Sequence, residues 1–153
     1  MKKLFGNFID GRGAIGLLFV RFVFGLGLML HGLPKTQSPF GWMGPDTSVP
    51  GILQFLAVFS EVGGGLALII GLLTPIAALG ISYTMLYAIF GVHIRHGDSF
   101  VAVGKSSYES AAGYLAVALL LFFAGPGKLS LDALLFGRDK KTARTATSVG
   151  AES

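Results

Sequence analysis

The stretch Arg21-Phe-Val-Phe-Gly-Leu-Gly-Leu-Met-Leu-His-Gly32 decides the fold of this chain. It is an apolar run that carries one guanidinium and one imidazole. The 153 residues are 52% hydrophobic and only 13% charged, about half the charged fraction of a soluble domain. The stretch is therefore predicted to lie inside a bilayer, where Arg21 and His31 both need polar partners.

Four apolar segments of the chain are predicted to span the membrane. At 1.5 Å per residue the first of them is long enough to cross a hydrocarbon core of about 30 Å. A shorter apolar helix, 129–136, is expected to lie in the membrane interface. The four spans are 13–33, 51–73, 75–93 and 108–124. The prediction is one all-α domain over 1–136, a four-helix antiparallel bundle, followed by a disordered tail, 137–153.

The basic residues predict the orientation of this bundle. The two long loops carry only Lys35, Arg95 and Lys105, whereas the other basic residues outside the spans lie towards the ends of the chain. Four spans put both termini on one side, and the positive-inside rule makes that side cytoplasmic. The basic residues form no patch with interleaved aromatic residues, so no nucleic-acid partner is predicted. With no cysteine in the chain, disulfides and thiol chemistry are excluded within it.

Two charged residues fall well inside the first two predicted spans. Arg21 lies in the first span and Glu61 is the only charged residue of the second. An isolated charge at this depth costs about 2.5–3.5 kcal/mol on insertion scales. The two residues are therefore predicted to form an intramembrane ion pair. Two interpretations stay open: a structural pair that fixes helix register, or a charged wall of a buried site.

A second set of polar residues is predicted to converge in the outer half of the bundle. Each of the four spans brings a polar side chain to that half, and a tyrosine can add a hydroxyl. An apolar cleft with a few placed polar groups is the usual form of a ligand site. The candidate ligand-binding residues are His31, Gln54, Tyr87, His93 and Glu109. A haem or another metal held by the two histidines is disfavoured, because both lie near the membrane surface and no third ligand is evident.

Two shorter patterns predict helix packing and a helix start. Gly63, Ala67 and Gly71 recur every four residues, a small-residue ladder that permits close helix approach. Ser106 and Glu109 have the spacing of a capping box at the start of the fourth span.

Several of these motifs together resemble the DoxX family of small four-helix membrane proteins. Arg21 with His-Gly-Leu-Pro-Lys at 31–35 is similar to the family's first motif, and the run from Glu61 to Pro75 is similar to its second. Gly-Pro-Gly-Lys-Leu-Ser-Leu-Asp at 125–132 resembles its closing motif. The resemblance covers about residues 13–136. Pro75 departs from it, because family members often have a basic residue there.

The resemblance implies a bacterial inner-membrane protein and, for some members, a role in quinone-linked redox complexes. The leading functional hypothesis is therefore a membrane subunit of a redox system, with quinone as the candidate cofactor and redox proteins as partners. His31 and His93 would bond the quinone oxygens and exchange protons. The alternative is a scaffold or assembly protein without catalytic activity, whose small-residue ladders dock partner helices. Whether the chain is catalytic, and whether it forms a homo-oligomer, stays open in both hypotheses.

Overall fold

The computed structural model describes residues 8–137, and this part of the chain is helical. An isolated β-bridge between Ser99 and Ser107 is its one extended pairing within that range. The all-α prediction is confirmed for the described residues. The predicted disordered tail lies outside them from residue 138 onwards.

Five helices organise the described part of the chain, and two of them continue in other helical forms. The first continues into a 3-10 turn, Leu33–Gln37. The third continues as a π-helix, Tyr87–His93, and ends in a last α-turn, Ile94–His96. The helices are α1 (Arg12–Gly32), α2 (Gly51–Ile70), α3 (Thr74–Leu86), α4 (Glu109–Ala124) and α5 (Leu131–Phe136).

Three of the helical segments are long and apolar enough to cross a membrane: Arg12–Gln37, Gly51–Ile70 and Thr74–His96. The fourth helix, α4, has 16 residues and is about 24 Å long at 1.5 Å per residue. Large apolar side chains on the outward faces of these helices stay exposed, among them Phe19, Phe59 and Phe123. Such a surface suits lipid, since the hydrocarbon interior of a bilayer is itself apolar.

The helices pack in sequence, α1 on α2, α2 on α3 and α3 on α4. Two glycines of α1 and α2 lie against each other. A Cβ atom built on Gly25 would lie 2.6 Å from the carbonyl oxygen of Gly65, and one built on Gly65 would lie 2.6 Å from that of Gly25. Only glycine allows two helix backbones to meet at this distance, so this contact fixes how α1 crosses α2.

The two ends of the bundle differ. The short-turn end comprises residues 8–11, the turn 71–73 and the segment 125–130, and the long-loop end comprises 33–50 and 97–108. At the short-turn end, Gly71 and Leu73 both have positive φ, 69° and 48°. The strained Leu73 is held in place because its N–H donates to Asp132 Oδ1 at 2.7 Å, while the N–H of Thr74 donates to Oδ2 at 2.8 Å.

The predicted capping box at the start of α4 is wrong. The helix begins at Glu109, and its preceding residue, Tyr108, makes no side-chain capping bond. Ser106 Oγ instead donates to Asp98 Oδ2 at 2.8 Å. Ser106 lies two residues before the N-cap position, and its hydroxyl donates a charge-assisted bond to the Asp98 carboxylate.

Candidate functional site

A cavity of about 280 Å³ lies at the long-loop end, between α2, α3 and the 33–50 loop. Its apolar wall includes Trp42, Leu53 and Val92. The polar residues that line it are Lys35, Gln54, Glu61, Thr84, Tyr87 and His93. We call it the larger cavity. Three of the five side chains that sequence reasoning assigned to a ligand site therefore line it.

A smaller cavity of about 140 Å³ lies between α1, α3 and α4. Its polar lining comprises His31, Lys35, Glu61, His93, Ser110 and Tyr114. Lys35, Glu61 and His93 line both cavities. These three residues therefore stand at the boundary between the two spaces.

Glu61 and Lys35 form an ion pair at this boundary. Lys35 Nζ donates to both carboxylate oxygens of Glu61, at 2.7 and 2.6 Å, and lies 4.4 Å from the centre of the Trp42 ring. The side chain of Glu61 is 8% exposed and that of Lys35 22%. The two short charge-assisted bonds and the contact with the Trp42 ring thus compensate for the loss of water around both charged groups.

The structure corrects the predicted partner of Arg21. Glu61 is bonded by Lys35, whereas Arg21 Nη2 donates to the carbonyl oxygen of Leu129. Arg21 is 0% exposed, and it packs on Gly71 near Asp132. Side chains of a helix lean towards its N-terminus. In two antiparallel helices Arg21 and Glu61 therefore lean apart, one to the short-turn end and one to the long-loop end.

His93 is held by a carboxylate that sequence reasoning missed. Its Nδ1 lies 2.7 Å from Asp98 Oδ2, the same oxygen that accepts from Ser106. The bonds from His93 and then Ser106 lower the pKa of Asp98. The sequence signal for this contact is Gly97, directly before Asp98, because a glycine after a helix often ends it with a positive φ. In the structure Gly97 has a φ of 77° and turns the chain back over the last helical residues.

The other histidine of the predicted site has a different environment. His31 lines the smaller cavity and not the larger one. Its Nδ1 is 3.0 Å from the carbonyl oxygen of Gly27, and its ring meets Tyr114 edge-on with centroids 5.8 Å apart. The two histidines therefore share the smaller cavity, while His93 alone reaches the larger one.

Of the remaining predicted ligand-binding residues, Gln54 bonds a loop, Glu109 lies outside both cavities and Tyr87 lines the larger one. The amide of Gln54 accepts from the N–H of Met43 at 3.1 Å and donates to the carbonyl oxygen of Val49 at 2.9 Å. Its side chain thus holds the 33–50 loop over the larger cavity. Glu109 is exposed at the first residue of α4 and lines neither cavity. Tyr87, the first residue of the π-helix, lines the larger cavity.

Comparison with known proteins places the chain in a family. The DoxX family model matches residues 16–94. An uncharacterized protein of Haemophilus influenzae is 32% identical over 122 residues, which cover 78% of this chain and 90% of the relative. Inner membrane protein YqjF of Escherichia coli is 30% identical over 136 residues, covering 88% of this chain and 97% of the relative. No solved structure shows a significant match.

The localisation prediction, a multi-pass protein of the bacterial inner membrane, is confirmed by the apolar spans and by the relative from that membrane. The resemblance inferred from the motifs at 21–35 and 61–75 is confirmed as well, since the family match includes both. The chain belongs to the DoxX family of membrane proteins.

Proposed function

We propose that α4 is a fourth span and that both termini are cytoplasmic. This proposal rests on the distribution of charge: eight of the basic residues lie at or before the start of the first span or after the fourth, and three (Lys35, Arg95 and Lys105) lie in or next to the long loops. The positive-inside rule then orients the short-turn end towards the cytoplasm. Of the three basic residues in the loops, Lys35 is already neutralised by Glu61.

Because the chain has no cysteine, single introduced cysteines test this topology without background. Ser48→Cys and Lys105→Cys report on the long-loop end, and Gly137→Cys on the other. We expect a membrane-impermeant maleimide to label the first two in intact spheroplasts and the third only after permeabilisation. Labelling of Gly137→Cys in intact spheroplasts would contradict the four-span topology.

We propose that the protein is the membrane subunit of a redox system and binds a quinone ring in the larger cavity. The observation that carries this proposal is the chemistry of the cavity wall. Trp42 and Tyr87 line the cavity with aromatic rings, and Lys35 and His93 line it with hydrogen-bonding groups that suit the oxygens of a quinone. A volume of about 280 Å³ is close to the lower bound of ordinary small-molecule sites.

This proposal differs from the sequence prediction in one partner. Lys35 replaces His31, because Lys35 lines the larger cavity and His31 does not. An ammonium group has three N–H donors, and two of them are directed at Glu61. We propose that the third donates to a quinone oxygen. The electrons for quinone reduction come from a redox protein partner of the complex.

Binding is tested with decylubiquinone and the protein in nanodiscs. We expect the wild-type protein to be stabilised against heat by decylubiquinone, and its lipid extract to contain quinone. His93→Ala is expected to weaken binding about tenfold, the equivalent of one hydrogen bond of about 1.4 kcal/mol. His96→Ala, which removes an exposed histidine outside both cavities, is the matched control. No stabilisation of the wild type and a quinone-free extract would overturn the proposal.

A scaffold role is the second candidate, and the outward glycines favour it. A Cβ atom built on Gly63 would meet only Phe59 of its own helix, and one built on Gly113 would meet nothing within 4 Å. These faces leave room for a partner helix. Gly71 does not belong to such a face, since a Cβ there would lie 2.0 Å from Arg21 Nη1.

The scaffold role predicts that Gly63→Leu releases membrane proteins that otherwise copurify, while decylubiquinone binding is unchanged. Gly16→Leu is the control, because Gly16 also faces open space but lies on α1. A complex that survives Gly63→Leu and Gly113→Leu would exclude docking through these faces.

A further inference from the structure

The smaller cavity differs from the larger one in its lining. Six polar side chains surround about 140 Å³ of space, and a water needs about 10–15 Å³ of such volume and two to four polar partners. One of the six, Ser110, is exposed in the first turn of α4. The smaller cavity can therefore hold several waters near the long-loop surface.

His93 can exchange protons with both cavities through one atom. Its Nδ1 is taken by Asp98 Oδ2, so the ring proton lies on Nδ1 and the lone pair on Nε2. The same carboxylate–imidazole arrangement fixes the tautomer of catalytic histidines. For Nε2 no hydrogen bond is found with any residue in 8–137, although the ring lines both cavities. His93 is also the last residue of the π-helix, and π-helical turns are frequent at functional sites.

We propose that the smaller cavity is a water-filled proton chamber and that His93, oriented by Asp98, passes protons between it and the ligand in the larger cavity. His93 is the proton carrier and Asp98 its positioning residue. The direction of the relay rests on the proposed quinone site, whereas the chamber and the tautomer do not. The groups that face this relay are Glu61 of α2, Lys35 of the 3-10 turn, His31 of α1, Tyr87 of the π-helix, Tyr114 of α4 and Ser106 of the 97–108 loop.

The proton balance of the relay is simple. Reduction of a quinone to a quinol takes up two electrons from the redox partner and two protons. For each proton, the chamber waters relay H⁺ from the solution at the long-loop end to Nε2 of His93, so that no hydroxide is left behind, and Nε2 then donates it to a quinone oxygen, which returns the imidazole to its first state. Ionised Asp98 stabilises the transient imidazolium. Glu61 also lines both cavities, but it is bonded to Lys35 and is assigned no proton in this relay.

Hydration of the chamber is tested in nanodiscs by water-edited solid-state NMR of protein with ¹⁵N-labelled histidine. We expect magnetisation to pass from water to the ring nitrogens of His93, whereas His31 is exposed to bulk water in any case and serves only as a positive control for transfer. Ala111 lines the smaller cavity and is 7% exposed, so Ala111→Leu fills the space and lowers the transfer to His93. Ala116→Leu is the control, because Ala116 is an exposed residue of the same helix. A wild-type chamber without water transfer overturns the proposal.

The tautomer is tested in the same samples through the ¹⁵N shifts. Wild-type His93 is expected to carry its proton on Nδ1, and Asp98→Asn to mix the two tautomers. Added decylubiquinol should shift Nε2 and leave Nδ1 in place. A proton on Nε2 in the wild type overturns the relay. If the chamber is wet and the tautomer correct but decylubiquinone does not bind, the proposed function fails while the proton chamber stands.

Discussion

The buried charges Glu61 and Arg21 each find their bonding partner in a connecting segment outside their own helix. Glu61 is neutralised by Lys35 from the turn that follows α1, and Arg21 is bonded to Leu129 before α5. At the scale of single residues, the helix supplies one charge and a connecting segment supplies its partner. The charges therefore bind the connecting segments to the helices.

Removing the charge of Glu61 should destabilise the protein. In Glu61→Gln, Lys35 keeps its ammonium but loses two charge-assisted bonds. We expect the free energy of unfolding to fall by about 1.5–3 kcal/mol, measured by SDS titration in mixed micelles. The double variant Lys35→Met, Glu61→Gln should recover part of the loss, because no charge is then left unpaired. Glu109→Gln, at an exposed residue, is the control; an equal loss there would refute the role of the pair.

The bond between His93 and Asp98 should be sensitive to acid. The pKa of Asp98 is lowered in the folded protein by its bonds from His93 and Ser106. Ionised Asp98 therefore stabilises the fold at any pH above its ordinary pKa of about 3.9. That contribution is lost as the pH falls through the lowered pKa.

The measurement is the thermal unfolding midpoint of wild type and Asp98→Asn between about pH 6 and pH 2.5. The wild type should be the more stable at pH 6, and the difference should shrink below about pH 4. Asp46→Asn, at an exposed loop residue, should show no such trend. A difference that stays constant with pH would contradict this assignment.

Sequence reasoning named most of the polar residues, but the one pair that it predicted, Arg21 with Glu61, was wrong. It found Arg21, Glu61 and His93 because charges and imidazoles stand out in apolar spans. It missed Lys35 as the partner of Glu61 and Asp98 as the partner of His93. Both partners lie in connecting segments, whose path over the helix ends depends on turns that helical periodicity does not describe.

At the scale of elements, the segment from Gly125 to Asp132 closes the short-turn end. Asp132 accepts from the backbone of Leu73 and Thr74, its own N–H donates to the carbonyl oxygen of Gly71, and Ser130 caps α5 by accepting from Ala133 at 3.1 Å. This segment ties α5 to the turn between α2 and α3. The predicted interfacial helix thus also acts as a clamp: it holds the α2–α3 turn in place through the bonds of Asp132.

Loss of Asp132 should open this end. Asp132→Ala removes the acceptor of two backbone N–H groups and the carboxylate near Arg21. We expect a loss of about 3–5 kcal/mol, as for breaking a buried charge pair, and faster proteolysis in the 71–73 turn. Asp46→Ala is the control for a loop carboxylate. Unchanged stability and unchanged proteolysis would show that the clamp is dispensable.

The helix bounds were the easier part of the prediction, because a run of apolar residues ends visibly at Pro, Gly or charge. The prediction of 51–73 for the second span ran past Ile70, since Leu72 and Leu73 are apolar but belong to a left-handed turn. The π-helix at Tyr87–His93 was not foreseen. Its side chains have the same apolar composition as an α-helix, and only the backbone bonds differ.

At the scale of the whole molecule, the crossing of α1 and α2 depends on two glycines. Gly65→Ala would put a Cβ atom 2.6 Å from the carbonyl oxygen of Gly25. We expect the helices to be forced apart, at a cost of about 1–3 kcal/mol in the same mixed-micelle titration. Gly16→Ala is the matched control on α1, with nothing within 4 Å of its Cβ, and it should be neutral or stabilising by about 0.5–1 kcal/mol. Equal effects of the two changes would exclude the close contact.

The bond between Arg21 and Leu129 also constrains how the protein is made. The two residues are separated by 108 positions, so α1 leaves the ribosome long before its carbonyl partner is synthesised. Until then the guanidinium is best hydrated if it reaches back to the aqueous surface beside the start of α1. Nascent chains that end before Leu129 should therefore hold α1 in a shallower position. We therefore expect the first helix to reach its final depth only after the segment that carries Leu129 has been added.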